Sequence, residues 1–279
     1  AALDLAERRP EVARKRYDDL LARDPKNLPA MLARAEVAAA GGAGAEEVAA
    51  LLGEAGQAQP NGLQPRLMLV DLWLRAGDRK QAESVAQTAV AALPSSAELL
   101  EALGRVQLAS GAPQQAITTY RKLLAQQPLV PMNHVRLAAA HRAAGELPAA
   151  EQSLRKALEM QPDEPQTQRA LITVLLDRGQ AAAALDVARD IQKRRPREAV
   201  GYLAEGDLHV LRRQWDAAVK AYRSGLQAAP DASDLAVNLH ATHVAAGQAA
   251  EAERFAAGWM RAHPRDGRFL VYLGDAALS

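Results

Sequence analysis

The sequence predicts an all-α fold, a right-handed superhelical solenoid of antiparallel helix pairs with a 34-residue period. The main observation is a set of eight prolines whose first interval is 35 residues and whose next six intervals are 34 residues each; they are Pro25, Pro60, Pro94, Pro128, Pro162, Pro196, Pro230 and Pro264. A fixed period of this length is typical of helix–turn–helix solenoids, in which each repeat packs only on its neighbours. Recurring small residues and recurring glycines between the prolines support the same fold.

The positions between the prolines predict two helices in each repeat, which we name helix A and helix B. When each proline is counted as position 32, seven of the eight position-20 residues are Ala, which predicts a close helix crossing; they are Ala13, Val48, Ala82, Ala116, Ala150, Ala184, Ala218 and Ala252. Position 15 holds Gly77, Gly111, Gly145, Gly179 and Gly247. Glycine adopts a positive φ at little cost, so helix A is expected to end there. The proline ends helix B, since it cannot continue the backbone hydrogen-bond ladder.

Three further positions describe the packing of the pair. Position 7 is usually Leu, position 24 is often bulky, as in Tyr120 and Tyr222, and position 8 is often small, as in Gly104 and Gly206. The extra residue of the first interval is most easily placed in the Gly-rich run 41–44, which predicts a longer turn.

The repeat count predicts one solenoid over residues 1–279. It consists of a partial repeat over 1–27, seven full repeats over about 28–266 and a truncated repeat over 267–279. Because the last segment is strongly apolar, we expect a fragment of a longer protein. The alternative is that the last helix is itself the capping helix of the solenoid.

Composition excludes several classes of function. The formal net charge is +1, so no global field attracts nucleic acid, and aromatic residues are only 4% of the chain, too few for a base-stacking surface. The chain has no Cys and no apolar run long enough for a transmembrane segment. No phosphate-binding loop, zinc motif or catalytic triad is found, so we expect neither enzymatic activity nor a cofactor.

Two unusual features need a choice between chemistry and packing. His209, His240 and His243 could bind a metal ion if the repeats bring their rings together, but position 11, which His209 and His243 occupy, is more simply a packing position. Glu205 stands where the repeat has Leu. We favour an ion pair with Arg212, Arg213 or an arginine of a neighbouring repeat over an acid catalyst, because no second carboxylate or nucleophile accompanies Glu205.

The Ala, Gly and Pro frame resembles the tetratricopeptide repeat family along the whole chain. In that family the A helices line a concave face, chiefly at positions 2, 5, 9, 12 and 13. The resemblance therefore implies a groove for a partner helix or peptide, unless the aliphatic residues only complete helix packing. The candidate groove residues are Leu67, Asp71, Leu74, Glu101, Arg105, Leu108, Val135, Arg142, Arg169, Thr173, Leu203, Asp207 and Val237.

Two known uses of the family are disfavoured by the residues at these positions. The co-chaperones of the family hold a carboxylate with Lys at position 5 and Asn at positions 6 and 9, whereas no position-5 residue is Lys here and Asn238 is the only Asn at position 6. The Asn ladder of the glycosyltransferase-linked repeats is absent for the same reason.

A narrower resemblance covers the stretches 63–78, 192–196 and 201–208. They are similar to the repeat lipoproteins of the PEP-CTERM and exosortase system. This resemblance implies a bacterial, non-catalytic scaffold for exopolysaccharide assembly or export, or for surface-protein sorting. It also implies a periplasmic location, with a lipid anchor in the full-length protein. The alternatives are a polysaccharide-binding solenoid, a cytoplasmic adaptor or a regulatory arm of a larger enzyme.

Overall fold

The computed structural model describes residues 10–278, and in that range it contains sixteen α-helices and no strand. The all-α prediction is therefore confirmed; residues 1–9 of the expected partial repeat, and Ser279, lie outside the described residues. Helices B are α1 (Pro10–Arg23), α3 (Ala45–Ala58), α5 (Arg79–Ala92), α7 (Pro113–Gln126), α9 (Leu147–Met160), α11 (Ala181–Arg194), α13 (Trp215–Ala228) and α15 (Ala249–Ala262). Helices A are α2 (Leu28–Ala40), α4 (Leu63–Arg75), α6 (Ala97–Ala109), α8 (Pro131–Ala143), α10 (Pro165–Asp177), α12 (Ala199–Leu211), α14 (Ser233–Ala245) and α16 (Gly267–Leu278).

The helices end next to the prolines and glycines, as the sequence predicts. Every helix B ends two residues before its proline, as α13 does before Pro230. Five glycines of the A-to-B turns have φ between +72° and +78°, which is the left-handed region; they are Gly77, Gly111, Gly145, Gly179 and Gly247. The turn 41–44 has four residues where the turn 76–78 has three, so the extra residue lies where the sequence placed it.

The small position-20 residues lie at the centre of each helix pair. Ala82, Ala116, Ala184 and Ala218 are completely buried. The small residues of position 8 serve a different contact, which the sequence did not reveal. A β-carbon added to Gly104 would lie 2.3 Å from Cε1 of Tyr120, and one added to Gly206 would lie 2.2 Å from Cε1 of Tyr222. A tyrosine ring therefore packs directly on a helix backbone in two of the repeats.

The chain divides into two compact units, Ala1–Ala150 and Glu151–Ser279, with the boundary inside α9. The core of the first unit includes a cluster around Ala35, Val48 and Leu52 and later clusters around Trp73 and Tyr120. The core of the second unit includes a cluster around Tyr222 and Leu235 and an aromatic cluster that contains Trp259 and Phe269. Among the described helices, none combines the length and the apolar character needed to cross a bilayer.

Candidate functional site

A cleft between two A helices of the second unit lies on the predicted binding face. It lies between α10 and α12 and has a volume of about 340 Å³. Four of the predicted groove residues line it together: Arg169, Thr173, Leu203 and Asp207. The cleft, which we call the α10/α12 cleft, is otherwise lined mostly by aliphatic side chains, and no aromatic ring contributes to its lining.

The aliphatic lining has a buried floor and an exposed rim. Ile172 and Leu208 form part of the floor, and their side chains are 8% and 2% exposed. Leu211 stands at the end of α12 and is 69% exposed. Complete burial of a leucine contributes about 1.5–3 kcal/mol, so a leucine left in solvent beside an apolar floor offers free energy to a ligand that covers it.

Asp207 is the acidic group of the cleft, and its position is fixed by two donors. The Tyr222 hydroxyl donates to Asp207 Oδ1 at 2.6 Å, and Asn238 Nδ2 donates to the same oxygen at 3.0 Å. Desolvation by the surrounding protein raises the pKa of Asp207, although the side chain still touches solvent and both hydrogen bonds oppose the change. Asp207 Oδ2 makes no hydrogen bond with a described residue and can accept one from a ligand.

Arg169 is the basic group of the cleft, and it has no ion-pair partner among the side chains of residues 12–276. Glu164 interacts with Arg169 only by electrostatic attraction, without an ion-pair contact. The pKa of Glu164 is lowered despite burial, because its carboxylate accepts hydrogen bonds from Thr167, and Arg169 makes a smaller contribution. The carboxylate of Glu164 is thus used to cap α10, and the Arg169 guanidinium remains available.

The charged candidates of the first unit are neutralised within the protein. Asp71 Oδ1 accepts a hydrogen bond from Arg105 at 2.7 Å, between equivalent positions of successive A helices. Glu101 lies 3.5 Å from Arg136 of the next A helix. These pairs link adjacent repeats, so they position the helices and leave little charge for a ligand.

Most of the remaining apolar candidates take part in packing. Leu67 and Leu74 pack against the Trp73 cluster, and Leu108 packs against the Tyr120 cluster. Val237 packs against the aromatic cluster of the second unit. The structure therefore gives these four residues the packing role that the sequence analysis had kept as an alternative.

Two candidates of α8 fall in neither group. Val135 is partly exposed. Arg142 is exposed but interacts with another residue. The structure does not bring either of them into the α10/α12 cleft.

The other lining residues of the cleft were not among the predicted groove residues, and three of them had a signal in the sequence. Val200 and Leu211 occupy positions 2 and 13, which are among the positions that line the concave face in the family. Ile172 occupies position 8, where most of the other repeats have Gly or Ala, and the replacement of a small residue by a large one was the available signal.

Glu205 forms the ion pair expected of it, with a residue of the preceding helix B. Arg189 Nε donates to Glu205 Oε1 at 3.0 Å, and Gln192 Nε2 donates to Glu205 Oε2 at 2.7 Å. The partner is therefore the arginine of a neighbouring repeat, and the alternatives Arg212 and Arg213 were wrong.

The histidines are used in turns and packing. Nδ1 of His209 lies 2.8 Å from Gln214, Nδ1 of His243 lies 2.7 Å from Gln248, and each of these contacts closes an A-to-B turn. His240 contacts the Tyr272 hydroxyl at 2.9 Å. Among the side chains that the structure describes, those of residues 12–276, no three His, Cys, Asp or Glu come together in a way that could hold a metal ion.

Comparison with known proteins agrees with this architecture. A family model described as tetratricopeptide repeat matches residues 1–62, 67–131, 135–199 and 169–233, which together make up most of the chain. No curated protein matches.

Solved structures share the fold at low sequence identity. A tetratricopeptide repeat protein from Parabacteroides merdae is 12% identical with a TM-score of 0.56, over 86% of this chain and 94% of that one. The C-terminal part of a repeat protein from Cytophaga hutchinsonii is also 12% identical, with a TM-score of 0.58 over 82% of this chain and 94% of that one. A chain of the APC/C hetero-tetramer Cut9–Hcn1 is 14% identical, with a TM-score of 0.50 over 93% of this chain but only 51% of that one.

Proposed function

Because the chain belongs to the tetratricopeptide repeat family, we propose that it is a non-catalytic scaffold that binds a segment of a partner protein in the α10/α12 cleft. The observation that carries this proposal is the exposed apolar rim at Leu211 beside a buried aliphatic floor. A mostly aliphatic cleft with a few fixed polar groups is the usual form of a peptide-binding or ligand-binding site. The structural relative from the Cut9–Hcn1 hetero-tetramer is itself part of a protein assembly, in keeping with this role.

The structure makes Leu211 a sharper test of this proposal than the packed or paired candidates. Peptides would be selected from a displayed library on the wild-type protein, and their affinities measured by fluorescence anisotropy. Leu211→Glu should lower the affinity about tenfold or more, since covering a leucine contributes about 1.5–3 kcal/mol.

The matched control is Leu129→Glu, because Leu129 is 82% exposed and lies in a turn of the first unit. It should leave the affinity unchanged. If Leu211→Glu binds the selected peptides as tightly as the wild type does, the cleft is not the binding site.

A finer role follows from the narrower resemblance. We propose that the scaffold organises components of exopolysaccharide assembly or export, or of PEP-CTERM surface-protein sorting, in the periplasm, and that the full-length protein carries a lipid anchor. Support comes from the stretches 63–78, 192–196 and 201–208 alone. Fractionation of the tagged full-length protein, with proximity labelling in the same cells, tests both statements. Recovery from the cytoplasm with no exopolysaccharide or sorting protein among the labelled neighbours would contradict them.

A further inference from the structure

Three exposed arginines lie around the α10/α12 cleft. Arg169 lines the cleft, and Arg212 and Arg213 directly follow Leu211, the last residue of its lining. All three side chains are exposed, and none forms an ion pair with a described residue. The cleft therefore has an unneutralised basic group in its wall and two more at one end.

Some neighbouring arginines are paired within the protein. Arg178, which follows α10, pairs with Glu151. Arg195, which precedes α12, lies 3.3 Å from Glu198. Unlike these paired arginines, Arg169, Arg212 and Arg213 make no ion pair with a described residue, so their guanidiniums are available to a ligand beside the cleft.

The backbone conformation of Arg213 supports a functional role for this turn. Arg213 has φ of +55°, and it is the only residue other than glycine with a positive φ in residues 10–278. Five other A-to-B turns have Gly at the equivalent place. Retaining a side chain in the left-handed region costs energy, and such residues are concentrated at functional sites.

The spacing of the basic groups defines a length for the occupant. Arg169 is the fifth residue of α10 and Arg212 is the residue after the thirteenth of α12, so their positions in the repeat differ by nine residues, an axial rise of about 13 Å at 1.5 Å per residue. An extended peptide rises about 3.3 Å per residue, so it covers that distance in about four residues. Two carboxylates at i and i+4 of an extended segment match the two ends of the apolar lining.

Resting on the proposed function, we propose that the α10/α12 cleft binds an extended acidic segment of a partner protein, in which apolar side chains are flanked by carboxylates four residues apart. The apolar side chains cover Leu211 and the floor, and the carboxylates pair with Arg169 and with the Arg212–Arg213 turn. Asp207 lies between the two ends, where its free oxygen accepts a backbone N–H of the segment.

The test uses three fluorescent peptides that share the centre Leu-Ala-Leu and differ only in the two residues that flank it. The flanking residues are Glu in the first peptide, Gln in the second and Lys in the third. In anisotropy titrations against the whole chain, the Glu peptide should bind most tightly, the Gln peptide less tightly and the Lys peptide least. The affinities of successive peptides should differ about two- to fivefold. Added salt should weaken the Glu peptide and leave the Gln peptide nearly unchanged, since only the charged pairs are screened.

Charge reversal in the protein supplies the matched variants. Arg169→Glu should lower the affinity for the Glu peptide about five- to tenfold and raise the affinity for the Lys peptide. The gain in affinity for the Lys peptide also shows that the variant is folded. Arg223→Glu is the control, because Arg223 is an exposed arginine of α13 with no ion pair among the described residues and lies outside the cleft lining. It should change neither affinity.

The outcomes separate the two proposals. Equal affinities for the Glu, Gln and Lys peptides would overturn the acidic segment while leaving the cleft as a protein-binding site. Tighter binding of polygalacturonate than of the Glu peptide would overturn the protein partner in favour of an acidic glycan. Failure of all three peptides, together with failure of the library selection, would overturn the proposed function itself.

Discussion

Gly206→Ala tests the contact that holds the cleft wall in place. Gly206 lies in the middle of α12, and a β-carbon there would be 2.2 Å from Cε1, 2.5 Å from Cζ and 2.6 Å from Cδ1 of Tyr222. The ring cannot easily move away, because Tyr222 is 1% exposed and its hydroxyl donates to Asp207. Relief of the clash must therefore displace α12 from α13 or break the hydrogen bond to the cleft carboxylate.

The expected magnitude is the difference between two effects. Overpacking a close-packed core costs about 1–3 kcal/mol, whereas replacing a mid-helix Gly by Ala gains about 0.5–1 kcal/mol. The net expectation for Gly206→Ala is a loss of about 1 kcal/mol in the free energy of unfolding. Gly258→Ala is the matched control, since Gly258 also lies within a helix but has no atom within 4 Å of its added β-carbon. That control should gain about 0.5–1 kcal/mol.

Urea unfolding followed by circular dichroism measures both variants, and hydrogen exchange shows whether the loss is confined to α12 and α13. The reasoning also predicts a rescue. Ala35 and Leu52 occupy the places equivalent to Gly206 and Tyr222 in the first full repeat and share one core cluster. Gly206→Ala combined with Tyr222→Leu should therefore lose at least about 1 kcal/mol less than the two single losses added together. A Gly206→Ala variant as stable as Gly258→Ala, or losses that simply add, would refute the close contact between ring and backbone.

Three further predictions concern single residues. Arg213→Gly should raise the free energy of unfolding by about 1 kcal/mol, because glycine adopts the observed positive φ without strain; urea unfolding checks this, and a decrease would contradict it. Glu205→Leu should change the melting temperature little or raise it, since Arg189 is 52% exposed and can rehydrate while a position that is usually leucine becomes apolar; a large drop in melting temperature would show that the ion pair is needed. Asp207→Asn should be at least as stable as the wild type at neutral pH, because an amide avoids the cost of a desolvated charge. Since the folded-state pKa of Asp207 is raised, wild-type stability gains as pH falls through that pKa, so the advantage of the variant should shrink toward acidic pH; an advantage that grows on acidification would contradict the direction of the shift.

The sequence predicted the repeat architecture well because the residues that end each helix act locally, within the repeat itself. A proline ends helix B by removing a backbone donor, and a glycine ends helix A by adopting a positive φ. These effects need no tertiary information, so the helix order, the long turn at 41–44 and the burial of residues such as Ala82 and Ala218 were all accessible.

The candidate site was predicted only in part, because a position on a helix face does not say what a side chain touches. Asp71 and Arg105 were chosen as ligand contacts, but they neutralise each other across successive repeats. Leu67 was chosen as groove lining, but it packs against a core cluster. Leu211, the most exposed aliphatic group of the cleft, was omitted although it lies at a face-lining position.

The sequence by itself determined the family, the helix-pair repeat and the face on which a partner is expected. The reason is that regularly spaced prolines and glycines end the helices by local effects on the backbone. Only the tertiary structure decided which charges remain available. Asp71 and Arg105 pair with each other across 34 residues, whereas Arg169, beside an apolar cleft, makes no ion pair with a residue that the structure describes. Charge availability depends on distances between side chains of different repeats, and those distances exist only after the repeats have packed.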